Sequence, residues 1–288
     1  MTLSVEIEIV RRGGDELGEG PVWLPASNEL LRVDINAPAI VRYDPATGNE
    51  QRRETSDRVG FAIPAAGGGL VAGVGLDVVH IGETIGRVQE PPGANRFNDA
   101  ACDACGRLWA GTMSMRRTPG TAALYRLEPG GALEVAVGGA TISNGLDWNL
   151  DATRLYYIDS TTQRIDAFDF DLDRGRIGRR RAFARIDPAD GLPDGLCVDA
   201  DGGVWVALFG GGALRHYQPD GTLDAHIPLP VRFPTSVAFG GQDLRDLYVT
   251  SSRHLLDAVA REAETAAGSV LRLRPGVKGR ATHAFGAA

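Results

Sequence analysis

No stretch of this 288-residue chain approaches the roughly 20 apolar residues needed to cross a bilayer as a helix. Its first ten residues, MTLSVEIEIV, have neither a basic leader nor an extended apolar core. That segment reads as a first β-strand, and the protein as soluble and cytoplasmic, with no membrane partner. Cysteine is scarce: Cys102, Cys105 and Cys197 cannot form a complete disulfide framework. Cys102-x-x-Cys105 lacks the second pair or nearby histidine that a zinc or redox site would need, so buried structural thiols are the better reading. Positive charge is in short supply as well. The 30 Lys and Arg face 37 Asp and Glu, giving a net charge of −7. No basic cluster offers a nucleic-acid surface; the one run, Arg179-Arg180-Arg181, fits a solvated turn and strand edge. Aromatics make up only 7% of the chain while glycine reaches 38 residues, a balance that suits short strands and tight turns.

What the chain does have is a register. DACGRLWAGT, DATRLYYIDS and DADGGVWVAL each open on an aspartate: Asp103, Asp151 and Asp199. These recur at a step of 48 residues, and Trp109, Tyr157 and Trp205 keep the same step. A fixed period of about 40 to 50 residues marks stacked supersecondary units. Leu31, Val71 and Tyr248 extend the register outward to six units. This predicts an all-β fold, a six-bladed β-propeller with a central metal site, over residues 1–288 as a single domain. A sandwich does not explain the constant period, and solenoid repeats are usually shorter. The N-terminal strand is expected to complete the last blade and remove an exposed edge. SSRHLLDAVAREAETAAG (251–268) breaks the β pattern as a short helix or ordered loop, and the closing FGAA reads as tail.

Upstream of the repeat turns lie segments that should enter the innermost strand of each blade: EGPVW from Glu19, NDAAC from Asn98, NGLDW from Asn144, DGLCV from Asp194 and TSVAF from Thr235. Asn98 and Asp194 precede their turn aspartates by five residues and Asn144 by seven, a small insertion. In a propeller these strand starts converge at one end of the channel, so Glu19, Asn98, Asn144 and Asp194 would face a common centre. An oxygen-only set suits a hard divalent cation such as Ca²⁺, Mg²⁺ or Mn²⁺. Zinc prefers nitrogen and sulfur but accepts carboxylates. The histidines at 80, 216, 226, 254 and 283 show no metal-ligand spacing and fall away from these segments. Singly, each ring residue could cap a strand or form an Asx-turn. Four at equivalent places in separate blades favour a site.

The segments LGEGPVW, NRFNDA, GRLWAGTM, ISNGLDWNLD, LYYIDS, LPDGLCVDADGGVWVA and FGGQDLRDLYVTSS resemble the SMP-30/gluconolactonase/regucalcin family over nearly the whole chain. The resemblance implies a propeller that binds one divalent metal and hydrolyses sugar lactones. Ca²⁺ is the first choice, with Zn²⁺, Mn²⁺, Mg²⁺ or Fe²⁺ as alternatives. Carried over by motif, the metal ligands fall on Glu19, Asn144 and Asp194, and a substrate-contacting pair on Arg96 and Asn98. Regucalcin-like members carry an acidic residue shortly after GTM; here Arg116 takes that place, which points to an anionic or otherwise altered substrate. Asp194 is the first candidate for general base. The partner is then a small-molecule sugar lactone, with the protein a monomer or weak homodimer. A non-catalytic calcium-binding propeller and an esterase or phosphotriesterase of the same architecture stay open. For Phe61, Met113 and Phe209, core packing is expected over a place at the cavity mouth.

Overall fold

The computed structural model describes residues 5–91 and 93–287. Its strands form six four-stranded antiparallel sheets around a channel, a six-bladed β-propeller. The innermost strands are Gly18–Leu24, Val59–Pro64, Asn95–Cys102, Ser143–Trp148, Leu192–Val198 and Pro234–Gly240, numbered here as blades 1 to 6. Ile7–Arg11 pairs with Val270–Leu273 and completes blade 6, as the alternating first segment implied. Between sheets lie apolar layers, such as Trp109, Trp148, Tyr157, Phe168 and Phe170 between blades 3 and 4. Phe61 packs edge-on against Phe97 at 5.5 Å and is core, as expected.

Strand pairing corrects the register at one blade. Trp109 lies opposite Ala101 and Trp205 opposite Cys197, each three residues after its ring residue. The same place in blade 4 is Asp147, and opposite it is Tyr156, not Tyr157. Turn geometry agrees: Asp103 N–H donates to Arg107 O, Asp199 N–H to Gly203 O, and Asn149 N–H to Arg154 O. The blade 4 counterpart of the turn aspartate is therefore Asn149, while Asp151 is exposed inside a turn one residue longer. Asn144 then precedes its turn residue by five, and the apparent upstream insertion disappears. Leu31, Val71 and Tyr248 do sit opposite Val22, Ile63 and Ala238.

The turn aspartates also tie the turn to the blade core. Asp103 and Asp199 each accept the indole N–H six residues on, from Trp109 and Trp205, at 2.9 Å. Tyr156 carries no such donor, and an asparagine suffices there.

The chain's end is not a loose tail. Gly279 N–H bonds to Leu244 O, Lys278 O accepts from Ala200, and Gly286 N–H bonds to Gly106 O. Arg280 donates to Asp147 at 3.0 Å and to Trp148 O at 2.7 Å. Phe285 is buried against Phe61 and Phe97 and bonds through its backbone to Pro64 and Ala66. The segment thus closes one end of the channel; carrying a single large apolar anchor, it shows no strand periodicity. The thiols divide: Cys102 is buried and Cys197 half-buried, but Cys105 is exposed, on the turn rather than a strand. Within 251–268, Ala258–Ala263 is a short helix whose N-cap Asp257 accepts from Ala260 N–H. Arg176–Arg185 is the outer strand of blade 4 and carries the basic run at the sheet edge. Among the described residues, no helix is long and apolar enough to cross a membrane.

His216 stacks on Trp205 at 4.4 Å and bonds to Asp199 (3.1 Å) and Asp224 (2.9 Å). Burial opposes its charged form, but these carboxylates outweigh burial and raise its pKa. Burial likewise works against ionised Asp199, and its hydrogen bonds, that from His216 first, still lower its pKa. The imidazolium's contribution is therefore full below the unfolded value of about 6.5 and is lost as pH rises through the folded one. Asp199's contribution is present above about 3.9 and fades as pH falls through its lowered folded value. His216→Phe should destabilise by about 1–3 kcal/mol in urea unfolding, more at pH 5.5 than at pH 9. A penalty that does not change with pH would rule out the charged pair.

Candidate active site

Every inner strand carries one extra residue at the same height. The register shifts fall between Glu19 and Val22, Val59 and Phe61, Phe97 and Ala100, Ser143 and Leu146, Pro193 and Leu196, and Pro234 and Val237. Such a bulge leaves a residue out of the ladder and re-aims its side chain. Counting back three from the residues that face the register positions, the ring is Glu19, Gly60, Asn98, Asn144, Asp194 and Thr235. Blade 2 has no side chain to offer, since a Cβ on Gly60 would fall 2.4 Å from the Phe97 carbonyl carbon. Thr235 is engaged elsewhere, donating to Gly18 O at 2.6 Å.

The remaining four, Glu19, Asn98, Asn144 and Asp194, line one solvent-open cavity together with Arg96. All five are buried. Their hydrogen bonds sort them into two kinds. Asn98 is engaged at both ends of its amide: Nδ2 donates to Ser143 O at 2.9 Å, and Oδ1 accepts from Arg96 Nη1 at 2.8 Å. Asn144 is fixed at one end only, Nδ2 donating to Ser160 Oγ at 3.1 Å, and its Oδ1 is buried without a partner. Among the described residues, Asp194 Oδ1 is equally unpartnered, and Glu19 accepts only from the adjacent Gly20 N–H, at 3.2 Å.

Burial raises the pKa of both Glu19 and Asp194 well above the carboxylate range, and repulsion from neighbouring carboxylates adds to it. Asp99 contributes to both; it enters the channel below the ring, and burial lifts its own pKa to about 6. Arg96 acts the other way on both acids. Burial also brings Arg96 down to about 10.

Among the described residues, no group of three or more His, Cys, Asp or Glu side chains is arranged to hold a metal ion. The donor set that does converge is two carboxylates and an amide. Orphaned buried oxygens are expensive unless something meets them, and Arg96, the cation beside the two carboxylates, spends its hydrogen bonds on Phe97 O and Asn98 Oδ1 instead. The oxygens of Glu19, Asn144 and Asp194 fit a hard divalent ion on both counts.

Some expectations need correction. Arg116 and Arg117 are both exposed, but only Arg117 lines the cavity, from a left-handed backbone conformation (φ 53°). Met113 and Phe209 are wall residues of the cavity rather than core. His254, set aside for its spacing, also lines the cavity, brought in by the loop after Asp246–Ser251. Ser160 went unnoticed in the sequence, although a signal exists. It follows Asp159, which accepts from Thr141 N–H and Ile142 N–H just as Asp34 accepts from Glu16 and Leu17. An aspartate closing the second strand of a blade thus marks the rim.

Residues 17–253 match the family model described as the SMP-30/gluconolactonase/LRE-like region. Regucalcin of Bos taurus is 37% identical over 289 residues, covering 96% of this chain and 97% of that protein. Regucalcin of Danio rerio is 36% identical over 286 residues, with the same two coverages, 96% and 97%. A luciferin-regenerating enzyme matches with a TM-score of 0.90 and 30% identity, over 98% of this chain and 99% of that one. The crystal structure of a calcium-binding protein, regucalcin, from Agrobacterium tumefaciens gives 0.89 and 26%, over 98% and 97%.

Close approach of the inner strands gives a direct test of the ring. A Cβ on Gly145, next to Asn144, would lie 2.4 Å from Leu196 N of blade 5. Gly145→Ala should cost about 1–3 kcal/mol in urea unfolding, as overpacking does. Gly138→Ala, with only a Val135 methyl at 3.9 Å, should stay within about 0.5 kcal/mol. Equal effects would mean the inner strands are not packed this tightly.

Proposed function

The chain belongs to the SMP-30/gluconolactonase/LRE-like family, and from that premise we propose that it hydrolyses a sugar lactone to the open-chain acid. The observation that carries this reading is the pair of unpartnered buried oxygens, Asn144 Oδ1 and Asp194 Oδ1, in one cavity with Glu19 and a buried arginine. Glu19, Asn144 and Asp194 would hold a divalent cation. Oxygen donors favour Ca²⁺, in keeping with the calcium-binding regucalcin of Agrobacterium tumefaciens. When bound, such an ion supplies a Lewis acid for the ester carbonyl.

The chain's own residues account for the other requirements. Asp194, with a free Oδ1, takes a proton from water as the water oxygen bonds to the carbonyl carbon. The ring C–O bond then breaks, and the proton passes to the departing oxygen, which becomes the new hydroxyl. Arg96 is steered by its bond to Asn98 Oδ1, so the pair orients the substrate's oxygens. Leu17, Ile142, Leu192 and Phe209 give the cavity apolar walls.

Nucleophilic catalysis by the chain finds no support. Ser160 Oγ is engaged by Asn144 Nδ2. Cys102 and Cys197 line the channel below the ring, where burial pushes both thiols far above their usual pKa.

A calcium-binding propeller without turnover is the second reading, favoured by the same three oxygens; turnover separates the two. Asp194→Ala should lower kcat/KM for a gluconolactone at least about 1,000-fold while circular dichroism reports a folded propeller. Near wild-type turnover in that variant would refute the role of Asp194. Asn98→Ala frees Arg96, so KM should rise and kcat fall, each by about 10-fold, with the protein's cation content unchanged by elemental analysis. Loss of the cation would make Asn98 a ligand instead.

A further inference from the structure

Two arginines line the cavity, Arg96 buried and Arg117 exposed, and no carboxylate bonds to either among the described residues. Arg96 is buried, and its Nη1 donates to Phe97 O and Asn98 Oδ1, both at 2.8 Å. Among the described residues, its other guanidinium nitrogens have no acceptor. Glu19 and Asp194 are close enough to attract Arg96, but neither bonds to it. Arg117 shares the cavity and makes no side-chain hydrogen bond or ion pair among the described residues.

The loop that carries Arg117 is built to hold it. Arg117 N–H and Thr118 N–H bond to Ser114 O and Ser114 Oγ, both at 3.0 Å, and Met115 N–H bonds to Ala94 O at 3.0 Å. Arg117 itself takes a left-handed backbone conformation, φ 53°.

Both guanidinium groups act on the same imidazole. Burial lowers the pKa of His254, repulsion from Arg96 and then Arg117 adds to this, and Glu16 opposes it. Its tautomer follows from the hydrogen-bond chain. Ser252 Oγ donates to Glu16 O at 2.9 Å and so accepts from His254 Nδ1 at 2.6 Å. Nε2 remains as the ring's acceptor, free for a substrate hydroxyl.

Other buried arginines of the chain are matched: Arg32 by Asp15, and Arg107 by Asp103. Arg96 has no such bonded carboxylate, and a ligand anion entering the cavity would meet it together with the exposed Arg117 at the mouth. Resting on the lactonase reading, we propose that the substrate is an anionic lactone, one bearing a free carboxylate that Arg96 and Arg117 clamp. A neutral sugar offers only hydroxyls, whereas a carboxylate offers two charged acceptors matched to a guanidinium fork.

The test compares D-glucaro-1,4-lactone with D-glucono-1,4-lactone, which differ by one carboxylate, on the calcium-loaded protein. The glucaro compound should have the higher kcat/KM by at least about 10-fold. Arg117→Gln should lower that value roughly 10- to 100-fold and the glucono value less than about 3-fold. Arg116→Gln, outside the cavity, should change neither. Equal or better turnover of the glucono compound, or an Arg117→Gln loss shared by both, would overturn the inference. If neither lactone is opened, the lactonase reading fails. Calorimetric binding of D-glucuronate against D-glucose, which differ by one carboxylate, then decides the anion site independently. Tighter glucuronate binding that Arg117→Gln removes would uphold it, and equal binding would overturn it.

Discussion

Ring closure is the constraint on which the site depends. Each inner strand supplies at most one ring side chain, and these meet only because the sheets stand around a common channel. Pairing of Ile7–Arg11 with Val270–Leu273 provides that closure, joining segments at opposite ends of the sequence. Such a long closure costs little more than a short one, since each doubling of loop length adds only about 0.6 kcal/mol. The C-terminal segment reinforces it from below, reaching Leu244, Ala200, Asp147, Gly106 and Pro64 on five different blades. Neither end of the chain could be lost without loosening the geometry of the cavity.

Within the closed ring, one backbone device is repeated and its chemistry is varied. The same bulge occurs in all six inner strands, so the backbone is close to symmetric. Asymmetry comes from the residue each strand places at or beside its bulge. Gly60 leaves a gap, Thr235 satisfies a neighbouring carbonyl, and Asn98 anchors an arginine. Only Glu19, Asn144 and Asp194 keep oxygens in reserve. Asn98 and Asn144 make the point most clearly: two asparagines at equivalent positions differ because only one has an arginine two residues before it.

Much of this was legible in the chain. Turn aspartates, short apolar strands and a repeat of about 48 residues are local consequences of blade geometry, so they survive in linear order. The ring residues were legible for the same reason, each sitting five residues before its turn in blades 3 to 5. Errors arose where local spacing and pairing part company. Tyr157 fitted the spacing, but a turn one residue longer moves Tyr156 into the equivalent place. Arg117 rather than Arg116 lines the cavity, a difference of one position that no motif spacing records. FGAA looked like tail because a single buried phenylalanine leaves no periodic trace.

The sequence by itself determined the fold class, the number of blades and the positions from which a polar ring could be built, because these rest on backbone hydrogen bonding and on the pleat's alternation between neighbours. Only the tertiary structure decided which of those polar atoms remain unpaired, and that His254 and Arg117 join them. Hydrogen-bond satisfaction and charge balance are set by contacts between residues far apart in the chain, and no spacing along it records them.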